Sequence, residues 1–438
     1  MLKMNSSDQT DNQANQANQA NQNRMPKLGL AGFRNIGNTC YMNSVLQLLL
    51  HCKPIISFLV ENSNSNSNSN SNTNYLNYLE RAAILRVSEK YRKDHKLPKE
   101  FTFNVKRSSI DEFIEESIVK QLSVIANLII KKGNTKIVPN EFKSVLENKI
   151  KMFKGFQQHD AHELLLQLLD TLFEETGIES DPVINNIPET INKYLEVLSE
   201  TKKELFAEQD VEKKKEIILK LDSFKKLNQN VVNRYDGLLF MTNEYRKRYN
   251  PMIYQLKSFN INTIICSTCN NFNSNFETNT ILTIPIKSSV EESLNDFIKD
   301  DTIEDYNCAS CQSKRQATKK VKIFKTPMVL FLHFRRFRQL ENGRTIKDNR
   351  FVEIPRILDL NPYCDHEIMP ESNLTNKYIL KGISNHHGGM GGGHYTADCA
   401  GLLDPTQWYN FDDSHVSMWE NQNINTTDAY ILMYEMIF

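Results

Sequence analysis

The chain carries no surplus of charge of either sign. Lys and Arg number 53, and so do Asp and Glu, among 438 residues. A nucleic-acid binder shows a basic surplus or stripe, so this balance argues against one. It leaves room for a local charged patch facing a protein partner. Long apolar runs are also missing. None approaches the roughly 20 residues that cross a bilayer, and the polar stretch from Met1 to Asn23 holds no apolar leader core. No membrane segment is therefore expected. Cysteine is scarce too: eight residues are too few to staple so long a chain with disulfides. Four of them form two Cys-x-x-Cys pairs, which fits a reducing, intracellular compartment, cytoplasm or nucleus.

Two tracts offer almost nothing to bury. Residues 10–23 repeat Asn-Gln-Ala, and residues 62–74 alternate Asn and Ser. Without apolar burial to offset the entropy of ordering, residues 1–27 read as a disordered tail and 62–74 as a disordered insertion. The remainder, residues 28–438, reads as one catalytic unit. From Asp160 the pattern is helical: Ala161, Leu165, Leu168, Leu169 and Leu172 share a face, and Gly177 ends the run. Within a charged insertion at 185–250, residues 189–232 carry two apolar stripes, Ile191 to Leu205 and Ile217 to Val231, that predict a pair of amphipathic helices packed on the domain. After Pro251 the residues are β-branched, aromatic or alternating. Helices first and strands second predict an α+β fold.

The two Cys-x-x-Cys pairs are Cys266/Cys269 and Cys308/Cys311. Each turn brings two thiolates to one ion, and two turns complete a closed tetrahedral shell. Such a shell leaves no open position, so the expected metal is one structural zinc; a redox pair is the competing reading. Cys52, Cys364 and Cys399 have no such partners. Cys40 stands apart, between a small polar loop and the apolar run Val45–Leu50, hence at a helix N-terminus where the dipole favours a thiolate. Far downstream come Gly392-Gly393-His394-Tyr395 and Trp408-Tyr409-Asn410-Phe411-Asp412-Asp413. Asp404-Pro405 predicts a turn that sets the His394 strand beside the Trp408–Phe411 strand. An early Cys, a late His and a following acid is the order of a cysteine hydrolase assembled by folding. A lone cysteine here would read as a small buried hydrophobe.

Asn35-Ile36-Gly37-Asn38-Thr39-Cys40-Tyr41-Met42-Asn43-Ser44 resembles the Cys box of the ubiquitin-specific proteases, and Gly392–Tyr395 with Trp408–Asp413 resembles their His box. Gly155–Leu164, with Gln157-Gln158-His159-Asp160-Ala161-His162-Glu163, and Leu330–Phe337 resemble two further family segments. The resemblance runs from about Leu28 to the C-terminus. It implies a papain-like protease of that type, with a helical thumb, a β palm and β fingers over residues 261–325 whose tips a zinc ribbon pins. It implies Cys40 as nucleophile, His394 as base, and Asp412 as the orienting acid with Asp413 as fallback. It also implies Asn35 as an oxyanion donor beside the Cys40 N–H.

The implied activity is thiol-dependent removal of ubiquitin from proteins by a monomeric enzyme. The glycines before His394 are no phosphate loop, since no Lys-Ser/Thr follows; they suit a narrow wall admitting a peptide tail. Gly393 and Tyr395 are then candidate substrate contacts, with Gln158 and His162 weaker ones. Asp160 is open between partner of a substrate arginine and plain helix N-cap. A protease for another ubiquitin-like modifier and an inactive ubiquitin-binding scaffold are the alternatives. Intact Cys40, His394, Asp412 and Asn35 argue against the second.

Overall fold

The computed structural model describes residues 29–60, 75–98, 103–133, 135–182, 187–340, 342–365, 375–389, 392–419 and 427–438. The N-terminal tail, the 62–74 tract and Gly391 lie outside them, as do residues 185 and 186 of the charged insertion.

Helix Cys40–His51 runs through the centre, and all 12 of its residues are buried. It lies between helix Ala161–Thr176 and the main sheet, so it has no solvent face to make polar. Three of its polar side chains find partners instead. Asn43 donates to the Phe33 carbonyl (3.2 Å), Gln47 to the Ala31 carbonyl (2.7 Å), and the Ser44 and Ser384 hydroxyls meet at 2.9 Å. Gly382 allows this helix to sit close on the sheet, because a Cβ there would lie 2.8 Å from Leu48 Cδ2.

The main sheet runs His415–Met418, Trp408–Asp412, Gly392–Ala400, Lys377–Gly389, Ala429–Met436, Val329–Phe334, Ile281–Ile284, with Ile357–Asp359 also paired to Lys377–Gly389. All pairs are antiparallel except the last along that path, Val329–Phe334 with Ile281–Ile284. Val329 and Phe331 face the core around the Cys40 helix, while Leu330 and Leu332 face a second core on the other side. A strand buried on both faces reads as a continuous apolar run, which is why Leu330–Phe334 lacks polar alternation.

A separate four-stranded antiparallel sheet is ordered Phe272–Asn279, Ser258–Cys266, Ser313–Lys325, Asp301–Cys308. Its outer strands bury almost nothing apart from Cys308. The fold is α+β. The described residues of the charged insertion hold the expected pair as Glu189–Ala207 and Val211–Leu227, but the second ends before Val231, which lies in a third helix, Gln229–Lys247. A single residue, Asn228, separates the last two, with no Gly or Pro to mark the break. Tyr194 ties them together, stacking on Phe224 (6.3 Å) and meeting Tyr235 edge-on (5.5 Å).

Candidate active site and thiolate cluster

Cys40 is the first residue of its helix. The loop before it is shaped by its own side chains. Asn35 Oδ1 accepts from the N–H groups of Gly37 and Thr39, both at 3.1 Å, and Thr39 Oγ1 accepts from Ile36 N–H at 3.1 Å. Asn38 takes a left-handed φ of 54° and donates to the Phe156 carbonyl (2.8 Å). The N–H groups at the helix terminus favour the thiolate, as the sequence predicts, but they do not offset burial. Burial pushes the Cys40 thiol above its ordinary value, with Asp413 adding to the rise; the N–H groups of Tyr395, Tyr41 and Cys40 itself oppose it. Desolvation outweighs these dipoles, so ionisation needs a base.

The candidate base is within the adjoining strand. The backbone of Tyr395 faces the Cys40 sulfur, and the residue before it is His394. His394 Nε2 lies 2.6 Å from Asp412 Oδ1. The hairpin predicted around Asp404 supplies this contact: Ala400 pairs with Trp408 and Ala397 with Phe411, bringing Asp412 beside the imidazole. A carboxylate on Nε2 favours the tautomer with the proton there and Nδ1 as a hydrogen-bond acceptor.

Asp413 follows at a left-handed φ of 50°, with a carboxylate oxygen still within 4.8 Å of a His394 ring nitrogen and an Asp412 oxygen. Its carboxylate accepts from Asn43 Nδ2 (2.7 Å) and Asn35 Nδ2 (3.0 Å), and its carbonyl from Phe33 N–H (2.8 Å). The two adjacent acids are thus divided: Asp412 meets the imidazole, Asp413 the loop. Asn35 has one amide hydrogen committed to Asp413 and a second for another acceptor.

Asp160 caps helix Ala161–Thr176, its Oδ1 accepting from His162 N–H (2.6 Å) and Glu163 N–H (3.2 Å). Oδ2 accepts from the Tyr430 hydroxyl (2.5 Å). Gln158 clasps the glycine turn reciprocally, donating to the Gly393 carbonyl (3.0 Å) and accepting its N–H (3.3 Å). Gly393 has no room for a side chain, since a Cβ would stand 2.3 Å from His386 Nε2.

Tyr395 does not offer its ring to a substrate. The side chain is 7% exposed and packs on His386 and Tyr430 (centroids 4.7 and 6.1 Å). Strand alternation turns it into the core under the Cys40 helix. His162 stacks on His333 at 3.7 Å, in a pocket that also holds Asp170, Arg248 and Lys257. The sequence reading missed Asn43 and Tyr430. Asn43 sits three residues after Cys40, and a buried amide on an otherwise apolar helix is a signal that its partner matters.

The four cysteines of the two Cys-x-x-Cys turns converge. Cys266 and Cys311 sulfurs are 3.9 Å apart, Cys269 and Cys308 3.6 Å, and all four lie within 4.8 Å of one another. A tetrahedral shell with zinc–sulfur bonds of about 2.3 Å places sulfurs about 3.8 Å apart, so the donor set fits such an ion. The two turns are built alike. Asn270 N–H donates to the Cys266 carbonyl (2.9 Å) and Gln312 N–H to the Cys308 carbonyl (2.8 Å). Both residues are left-handed, at φ 55° and 52°.

The ubiquitin carboxyl-terminal hydrolase family profile matches residues 31–434. A probable ubiquitin carboxyl-terminal hydrolase of Acanthamoeba polyphaga mimivirus is 27% identical over 427 residues, covering 93% of this chain and 90% of that protein. Ubiquitin carboxyl-terminal hydrolase 2 of Homo sapiens is 27% identical over 419 residues, and this chain spans only 55% of its length. The SAGA DUB module bound to monoubiquitin has a chain of similar fold. Its TM-score is 0.59 at 20% identity, over 98% of this chain and 75% of that one.

Proposed function

The chain belongs to the ubiquitin carboxyl-terminal hydrolase family, and we propose that its cysteine-type deubiquitinating chemistry is carried by Cys40, His394 and Asp412. The observation that carries this reading is the 2.6 Å contact of His394 Nε2 with Asp412, one residue from the backbone that faces the Cys40 sulfur. His394 Nδ1 takes the thiol proton as Cys40 Sγ attacks the carbonyl carbon of the last glycine of ubiquitin. The tetrahedral oxyanion is met by the Cys40 N–H and the second amide hydrogen of Asn35. The lysine amine leaves with the proton from His394, and water resolves the thioester by the reverse use of the same base.

Ubiquitin and its protein conjugates are the proposed partners, met by a monomeric, intracellular enzyme. Gln158 and Gly393 line the approach of the tail. Asp160 is a further candidate contact, with both of its oxygens already engaged. Cys266, Cys269, Cys308 and Cys311 are proposed to hold one structural zinc, which when bound cross-links the tips of the four-stranded sheet. A covalent ubiquitin probe tests the reading. It should label the wild type and leave Cys40→Ala unlabelled, while Cys40→Ala still binds ubiquitin. Equal labelling of both rejects Cys40, and labelling only by a probe built on another modifier rejects ubiquitin.

A further inference from the structure

Among the described residues, strand Lys377–Gly389 loses a neighbour before it ends. Its pairing with Ala429–Met436 stops at Asn385–Ala429 after a register shift, while its pairing with the His394 strand continues to Gly389–Gly392. The open edge would leave alternate backbone carbonyls without ladder partners, at the register where His387 stands opposite His394.

An ammonium group fills that edge. The side chain of Lys347 is 3% exposed. Its Nζ donates to the carbonyls of His386 and Gly388, the latter at 3.3 Å, and lies 3.5 Å from Asp428 Oδ1. Asp428 closes the circuit. Its carbonyl accepts from His386 N–H (2.8 Å), and its Oδ2 is 3.1 Å from His387 Nδ1. His387 Nε2 reaches Thr396 Oγ1 at 3.0 Å, two residues beyond His394. Fully buried Arg336 secures both supports, donating to the carbonyls of Ala429 (2.7 Å) and Asp348 (2.9 Å), each next in sequence to one of the two charged residues.

We propose that Lys347 is a positioning residue for catalysis: it stands in for the missing strand and, with Asp428 and His387, holds the hairpin end that presents His394 to Cys40. The proposal rests on the cysteine-protease reading above. A strand provides ladder partners along its whole length, whereas one ammonium provides two at a single point. Removing it frees the hairpin end without unfolding the sheet. The nucleophile and the base then keep their chemistry and lose their alignment, for which losses of about 10²-fold are known from ångström displacements.

The test reads the Cys40–His394 pair without ubiquitin. Alkylation of Cys40 by iodoacetamide is followed against pH, with Cys40 resolved from the other cysteines by peptide mass spectrometry. With His394 drawing off the thiol proton as Cys40 attacks, the wild type should show a reactive limb below the ordinary thiol range. Lys347→Met should lower the rate on that limb about tenfold and leave the rate near pH 10 unchanged. Turnover of a fluorogenic ubiquitin amide should fall in kcat with little change in KM, and Lys347→Arg should restore part of both. Asp428→Asn, which keeps volume, should shift the profile in the same direction and serves if Lys347→Met does not fold. An unchanged alkylation profile overturns the proposal even if kcat falls, and so does an equal loss at every pH. A wild type with neither the reactive limb nor ubiquitin turnover rejects the protease reading itself, which is a separate result.

Discussion

Two neighbouring carboxylates take different hydrogen-bond partners because one residue changes the hand of the backbone. Asp412 ends an extended strand and meets His394; Asp413, in the left-handed region, turns to Asn35 and Asn43. His394→Ala should therefore abolish turnover of a fluorogenic ubiquitin amide, and Asp412→Asn should be milder, because an amide still orients the ring. Activity of Asp412→Asn below that of His394→Ala would contradict this order. Asn35→Ala should lower kcat by about 10²-fold with little change in KM, as for loss of one oxyanion donor. A change confined to KM would make Asn35 a binding residue. A third residue, Lys325, is buried away from the site. Its ammonium donates to the carbonyls of Tyr254 (2.8 Å) and Lys257 (3.0 Å) and lies 4.5 Å from the Tyr254 ring centroid. Burial pulls it down to about 7, with Lys257 adding to the fall. The unfolded chain then binds a proton that the folded one has released, so stability rises with pH above about 7 towards the ordinary lysine range. The melting temperature should climb between about pH 7 and pH 9, and this slope should flatten in Lys325→Met.

At the scale of elements, the helix Ala161–Thr176 shows a cap and a binding candidate sharing one carboxylate. Asp160 satisfies two helix N–H groups and the Tyr430 hydroxyl. Asp160→Ala should destabilise the fold by about 1 kcal/mol or more, since a lost cap leaves donors unpaired. Asp160→Asn keeps a capping oxygen and removes the charge. Near-wild-type melting with weaker ubiquitin binding in Asp160→Asn would assign the charge to a substrate cation; unchanged binding would leave only the cap. Glu175 does similar work without touching the cleft. It accepts from the N–H groups of Ile118 (3.1 Å) and Val119 (2.9 Å) and pairs with Lys149 (2.9 Å). Burial raises its carboxyl pKa while Lys149 and these N–H groups oppose the rise.

On the scale of the whole molecule, the catalytic half has two apolar cores and the four-stranded sheet has almost none at its tips. The thiolate cluster is the cross-link available there, and structural zinc contributes folding free energy to such a unit. Cys308→Ser should therefore release zinc, expose residues 266–311 to proteolysis and weaken ubiquitin binding, with Cys40 alkylation unchanged. Metal analysis of the wild type should find one zinc per chain. Zinc-free protein of normal stability and activity would make the cluster a redox site or a vestige.

The sequence by itself determined the elements with strong local signals and the residues with distinctive chemistry. Apolar spacing from Ala161 marked the helix, and β-branched runs marked the strands. Cys40, His394 and the two Cys-x-x-Cys turns were legible because few residue types do their work. What chain order could not express is which partner each polar group takes. The split between Asp412 and Asp413, the inward turn of Tyr395, the Tyr430 bond to Asp160 and the Lys347 cap on an open strand edge join residues distant in sequence or reverse a neighbour's direction. The height of the Cys40 pKa was likewise decided by tertiary structure, because desolvation depends on what covers a thiol, and no local pattern records that.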